Sequence, residues 1–381
     1  MKLFGHTSRR FTATAFLLII SLVMVACGSA NNGSTTTSSN APGKGCKKIG
    51  VLLPETATSA RWDSDDRPEL EKLIPQYLPG AHVDYANAQG NADTQQSQAE
   101  ADLANGDCIL VVAASDSVKA AQIVSEAAQK NVPVIAYDRL IQSSKLAYYV
   151  SFDNVKVGQL QGQYIASHYK SYVSPGHNNL VMINGAQTDN NALLFYQGAT
   201  SVLNPLINSG ALKKVYDQYT PNWDNPTAEN EMEGALTANK NNIQIAYVAN
   251  DGMAGTVIAA LKAVQLNGKV LVTGQDATVA GIQEILEGNQ MMTVEKNYAL
   301  EATGTAEIVA AISKGESTAS LTNGATTKTS TGAAIPSILE TPVTIDKSNF
   351  QQVVTDGLMT VAQICNGLPA NAPYLPAGYC K

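Results

Sequence analysis

Along most of the chain, short runs of branched apolar residues alternate with longer stretches in which apolar positions recur every three or four residues. The short runs read as strands buried on both faces, and the longer stretches as amphipathic helices. The run Val134-Ile135-Ala136 sets the pattern, because it stops abruptly at a carboxylate beside a guanidinium, Asp138 and Arg139. In open α/β sheets, ligands bind outside the carboxyl ends of the strands, so polar residues at that position are candidates for contact with a small polar molecule.

Taken in order, the pattern predicts strands over 48–53, 81–86, 109–113 and 134–136, with helices over 65–78, 94–104 and 117–130 between them. A short run over 147–152 leads into a helix over 155–169, and Ser174-Pro175-Gly176-His177-Asn178 then breaks the chain. A second series follows. Strands are predicted over 180–183, 215–219, 245–249 and 270–273, each ending in polar residues, with helices over 191–203 and 226–239 and another starting at Gly252. A last run over 292–295 delivers Lys296. Such β-α alternation implies parallel strands with right-handed crossovers. The fold class is therefore α/β, as two doubly wound parallel-sheet lobes whose polar strand ends share a crevice.

The ends of the chain read differently. Residues 1–26 have a basic start (Lys2, Arg9, Arg10) and an apolar run from Phe11 to Ala26, the pattern of a secretory signal. The run ends Met-Val-Ala-Cys-Gly, which resembles the lipobox of bacterial lipoproteins, so Cys27 is the expected acylated first residue of the mature protein. Residues 28–45 carry almost no bulky apolar side chains and are expected to form a flexible tether, spanning roughly 24 Å root-mean-square. The expected location is thus extracytoplasmic, at the membrane surface.

If Cys27 carries lipid, four of the five cysteines remain, and four allow three pairings. Cys46 and Cys108 each precede a strand, and the first and third strands of a doubly wound sheet are neighbours. The expected bridges are Cys46 to Cys108 and Cys365 to Cys380. Charged residues make up only 15% of the chain and the net charge is -7, with no basic stripe for nucleic acid. Abundant small and amide side chains suit a neutral polyhydroxylated ligand.

Several motifs recur in a definite order: Arg61-Trp62, A-Y-D-R over 136–139, S-F-D-N over 151–154, D-N-N-A over 189–192, A-L-T-A-N over 235–239, Asn250-Asp251, G-Q-D-A over 274–277 and M-T-V-E-K over 292–296. In this order and spacing the chain resembles the periplasmic pentose-binding proteins of ABC importers, from about residue 48 to 357. The resemblance implies a bilobal type I binding fold crossed three times by the chain. One lobe would hold residues 46–178 and 297–320, and the other 179–296 and 321–357. Residues 358–381 would form a C-terminal extension with a disulfide loop.

It also implies a set of sugar contacts: Arg61, Trp62, Asp138, Arg139, Asp189, Asn191, Trp223, Asn250, Asp276 and Lys296. The chemistry suits a pyranose, whose vicinal hydroxyls pair with carboxylates, amides and guanidinium forks while a flat indole covers its C–H face. The two tryptophans, one from each lobe, would sandwich the ring. D-Xylose is the expected sugar and a membrane permease the expected partner of a monomeric receptor; a sugar-sensing role with a signalling system is the alternative. Two departures leave the sugar open: Tyr196 stands where the family tends to a basic residue, and the spacing after Arg61-Trp62 differs. The tail beyond Gly357 has no counterpart.

Competing functions fare worse. Asp138, Asp189 and Asp276 could serve glycoside hydrolysis if one held a proton, but Arg139 and Lys296 are expected to keep them ionised. The first strand-to-helix turn, L-L-P-E-T-A-T-S-A, lacks the glycines of a nicotinamide site. Four histidines form no metal-binding motif, so neither metal nor cofactor is expected. Asp63, Asp65, Asp66 and Arg67 read as a charged helix start, and Asp251 as a structural residue.

Overall fold

A computed structural model describes residues 41–369, 375–376 and 378–380. The signal segment and Cys27 lie outside them. The first lobe is built on β1 (Lys48–Leu53), β2 (His82–Asn87), β3 (Ile109–Val112), β4 (Val134–Tyr137) and β5 (Tyr148–Phe152). Between these strands run α1 (Arg67–Tyr77), α2 (Ala92–Asn105) and α3 (Ala121–Gln129). The pairs β1–β2, β1–β3, β3–β4 and β4–β5 are all parallel, and β1, β3 and β4 are almost wholly buried because helices cover both faces of the sheet.

The second lobe begins with α4 (Asn154–His168) and continues through β6 (Asn179–Asn184), α5 (Asn190–Asn208), β7 (Lys213–Tyr219), α6 (Asn225–Ala238), β8 (Ile245–Val248), α7 (Asp251–Ala263), β9 (Leu271–Val272), α8 (Val279–Glu287) and β10 (Met292–Glu295). Its strand order is β7-β6-β8-β9, all parallel, and a single bridge from Thr273 to Met292 continues it to β10. The chain then returns to the first lobe as α9 (Tyr298–Lys314), which packs on α1 in the same core as β1 and β3. β11 (Thr326–Lys328) and β12 (Ala334–Glu340) add to the first sheet, and β13 (Val343–Asp346) pairs with β10.

Three segments therefore join the lobes, but two lie elsewhere than the sequence suggests. The first crossing is at Asp153, which caps α4, and not at the break over 174–178. Val157 and Ile165 of α4 belong to the second lobe's core. The helix is drawn there by close approach to α5: a Cβ on Gly158 would sit 1.9 Å from the Phe195 carbonyl oxygen, and one on Gly198 2.0 Å from that of Val155. The third crossing follows Glu340. Residues 321–340, expected in the second lobe, lie with the first, since β12 pairs in parallel with β5 and buries Ile335 in that lobe's core.

Residues 41–45 also depart from the tether expected there. They form a turn on the first lobe, where the Gly45 amide donates to the Ser313 carbonyl at 2.7 Å. Cys46 is bonded to Cys108 and Cys365 to Cys380. The described part of the C-terminal extension packs on α8, with Met359 and Ile364 buried beside Ile282 and Phe350. Among the described residues no helix is long and apolar enough to cross a membrane.

Candidate functional site

Strand ends from both lobes converge on one cavity. β1 leads to Glu55, Thr58, Ser59, Arg61 and Trp62, and β4 to Asp138 and Arg139; from the second lobe β6 leads to Asp189 and Asn191, β7 to Trp223, β8 to Asn250, β9 to Gln275 and Asp276, and β10 to Lys296. Phe195 completes the wall. The cavity encloses about 330 Å³ of space unoccupied by atoms, part of it continuous with solvent. All ten residues expected from the sequence line it. Glu55, Thr58, Ser59, Phe195 and Gln275 line it too and were missed, although Gln275 stands inside the G-Q-D-A motif.

Asp138 is the hub. Its Oδ2 accepts from Arg61 Nη1 at 2.9 Å and lies 3.5 Å from Lys296 Nζ, while Oδ1 accepts from Asn191 Nδ2 at 3.0 Å. Burial alone would push this carboxyl up, but Lys296, Arg61 and Arg139 outweigh it and hold it well below the usual carboxylate range. The other two carboxylates differ from expectation. Burial raises Asp189 despite Arg139, whose Nε is 3.0 Å from Asp189 Oδ2, and raises Asp276 despite Lys296 at 3.2 Å. Two cations therefore offset, without cancelling, the cost of desolvating these two groups.

Arg61 is less available to a ligand than the sequence suggests. Its Nε and Nη2 donate to both oxygens of Asp66 at 2.8 and 2.7 Å, Nη2 also donates to Glu301 at 3.1 Å, and its guanidinium stacks between Trp62 and Tyr298. With the bond to Asp138, four of its five N–H groups are committed to carboxylates. Asp66 is thus no part of a solvated helix start. It is fully buried and also accepts from the Tyr137 hydroxyl at 2.5 Å. The segment Trp62–Asp66 is wound wider than an α-helix and places Asp66 against Arg61.

Two residues both cap helices and line the cavity. Asp189 accepts from the Asn191 amide at 2.9 Å and from Trp223 Nε1 at 3.2 Å, and Asn250 accepts from the Met253 amide at 3.0 Å. Asp251 does not line the cavity; it accepts from Gln290 and Thr293, and burial pushes its carboxyl up to about 7. The Trp223 indole lies over Gly185, where a Cβ would meet ring atoms at 2.1 Å. Tyr196 is outside the cavity, with its hydroxyl donating to Asp217 at 2.9 Å.

Six lining residues carry a buried polar atom with no hydrogen-bond partner among the described residues: Arg139 Nε and Asp276 Oδ1, which have only the ion-pair contacts above, and Glu55 Oε1, Thr58 Oγ1, Trp62 Nε1 and Gln275 Oε1, which have neither. Buried polar groups are usually paired, so these atoms are open to the polar groups of a molecule or water that enters the cavity. Three backbone positions are also unusual, for Asp138, Trp223 and Asp276 all have positive φ, at 56°, 58° and 101°. Non-glycine residues in that region carry strain that surrounding structure must hold.

Two α/β lobes joined by three segments, with a buried polar cavity at facing strand ends, define a bilobal solute-binding protein. The family model for the periplasmic binding protein domain matches residues 49–317, and the chain belongs to that family. It is 38% identical over 334 residues to the D-xylose-binding periplasmic protein of Haemophilus influenzae, covering 87% of this chain and 95% of that one. The multiple sugar-binding periplasmic receptor ChvE of Rhizobium radiobacter is 34% identical, with 81% and 89% covered. Among solved structures, an ABC transporter solute-binding protein from Clostridium phytofermentans with bound β-D-glucose superposes with a TM-score of 0.76 at 31% identity, covering 84% of this chain and all of that one.

Proposed function

We propose that the protein captures one neutral monosaccharide, D-xylose, between its lobes outside the cytoplasm and delivers it to an ABC importer permease, without altering it. The observation that carries this reading is the charge pairing of the cavity. Arg61, Arg139 and Lys296 each lie within 3.5 Å of a buried carboxylate, so an anionic ligand would meet no uncommitted cation. A sugar needs only donors and acceptors, and Glu55, Thr58, Trp62 and Gln275 supply those that remain unpartnered.

In this reading Asp138, Asp189, Asn191, Asn250, Asp276, Arg139 and Lys296 bind hydroxyls, Arg61 chiefly holds Asp138, and Trp62 and Trp223 cover the two ring faces. The same pairing opposes hydrolysis, because Asp138, held ionised, is no general acid and the two raised carboxyls each face a cation. The protein acts as a monomer, tethered through a lipid on Cys27. Relatives that bind xylose and several other sugars support the class, and the first of them the choice of pentose. Calorimetry with a panel of pentoses and hexoses tests it: D-xylose is expected to bind most tightly and to be recovered unchanged. A hexose that binds tighter overturns the choice of sugar, and a released product overturns the receptor reading.

A further inference from the structure

The D-N-N-A motif places three polar residues in a row, and two of them face the cavity. Asn190, between Asp189 and Asn191, does not line it. Its side-chain Oδ1 instead accepts from Gln142 Nε2 of the first lobe at 2.9 Å, and its amide donates to Ser117 Oγ at 3.1 Å. Ser117, in the loop after β3, donates its own amide to the Thr188 carbonyl at 2.8 Å. Three hydrogen bonds thus cross between the lobes beside the cavity, and neither Ser117, Gln142, Thr188 nor Asn190 lines it.

Gln142 is held rigidly for this task. Its amide donates to the Ser117 carbonyl at 2.8 Å, and its Oε1 accepts from the Ser330 amide, in the turn between β11 and β12, at 2.6 Å. The first lobe therefore presents a fixed donor, and the second lobe answers with the first turn of α5, the turn that carries Asp189 and Asn191. Bonds of this kind form only when the lobes are together, so their free energy adds to that of any ligand that brings the lobes together.

We infer that Ser117, Gln142 and Asn190 form a clasp that sets affinity by holding the lobes closed, as positioning residues that never touch the ligand. This rests on the proposal that the cavity binds a sugar. Because the clasp is blind to what lies in the cavity, loosening it weakens every ligand by the same factor. A cavity residue such as Asn191 acts differently, since its loss changes the order of preference among sugars.

The experiment is calorimetry and stopped-flow fluorescence on the purified protein with D-xylose, D-ribose, L-arabinose and D-glucose. Gln142→Ala removes one interlobe bond and is expected to raise Kd about three- to tenfold for each sugar that binds, mostly through faster dissociation, with the ranking unchanged. Asn190→Ala removes the same bond from the other lobe, so the double variant is expected to be no weaker than the weaker single one. An unchanged Kd, an altered ranking, or fully additive losses overturn the clasp. If wild-type protein gives no heat with any sugar, the sugar assignment fails by itself, and the clasp is decided by amide exchange. Protection of the Ser117 and Asn190 amides in sugar-free protein should then drop at least threefold in Gln142→Ala, and equal protection overturns it.

Discussion

Replacing Arg61 with methionine keeps much of the side-chain volume and removes the charge. Three carboxylates would lose their partner: Asp66 its two bonds at 2.8 and 2.7 Å, Asp138 one at 2.9 Å and Glu301 one at 3.1 Å. All three are at least 96% buried, so water cannot replace the guanidinium without opening the lobe. Removing one partner of a buried ion pair costs about 3–5 kcal/mol, and the shared geometry here puts the variant at the upper end.

The pH dependence follows from the same burial. Without Arg61 the Asp138 carboxyl, which burial alone would push up, loses one of the three cations that hold it low, so its folded pKa rises and the variant's deficit shrinks as this group protonates in acid. Glu301 is already raised well above its usual range by burial and by Asp138, so its contribution is full in acid and lost as pH rises. Urea unfolding of Arg61→Met and wild type should therefore differ by the full amount at neutral pH and by less in acid, the gap closing by about 1.4 kcal/mol per pH unit over the range in which Asp138 of the variant takes up its proton. A gap under about 1 kcal/mol at neutral pH, or one that widens in acid, refutes the reasoning.

Three further outcomes are expected. Gly185→Ala places a Cβ 2.1–2.5 Å from the Trp223 ring, so the indole must shift; calorimetry should show sugar affinity down at least about tenfold with about 1–3 kcal/mol of overpacking cost, and intact affinity removes Trp223 from the site. Asp102, pushed up to about 7 by burial and then by Asp107 and Asp84, contributes stability that is full below its unfolded pKa of about 3.9 and is lost as pH rises from there through 7; Asp102→Asn should raise the melting temperature most at pH 8, by less at pH 5, and hardly at all below about pH 4. Replacing Cys46 and Cys108 together by serine opens a link across 62 positions, and denaturant unfolding should show a loss of about 4 kcal/mol.

Much of the site was legible because the signal was local. An apolar run that stops at polar residues marks a strand and its carboxyl end at once, so Asp138, Arg139, Asn250, Asp276 and Lys296 could be placed from their own neighbourhoods. Partners that meet only in three dimensions could not. Asp66 looks like any acidic residue near a helix start, and nothing near Glu301 in the sequence points to Arg61, 240 positions away. The strand Ala334–Glu340 was hidden for a similar reason: Pro336 interrupts its pattern, and its hydrogen bonds go to β5, far earlier in the chain. The first lobe crossing was misplaced because a proline-glycine turn is a louder signal than a capping aspartate.

Backbone strain was the least legible feature, since aspartate and tryptophan give no warning of positive φ, yet it bears directly on how the cavity works. A non-glycine residue in that region costs of order 1–3 kcal/mol. At Asp138 the conformation accompanies a carbonyl that accepts from the Tyr149 hydroxyl at 2.9 Å, the Ser151 hydroxyl at 2.7 Å and Asn191 Nδ2 at 3.0 Å. Two of those donors belong to the first lobe and hold the strained turn whether the lobes are apart or together. The third belongs to α5 of the second lobe, so bringing the lobes together adds a bond to a group that is already fixed in place. Little further ordering entropy is then lost at this point, which is the physical advantage of storing the strain beforehand rather than on binding.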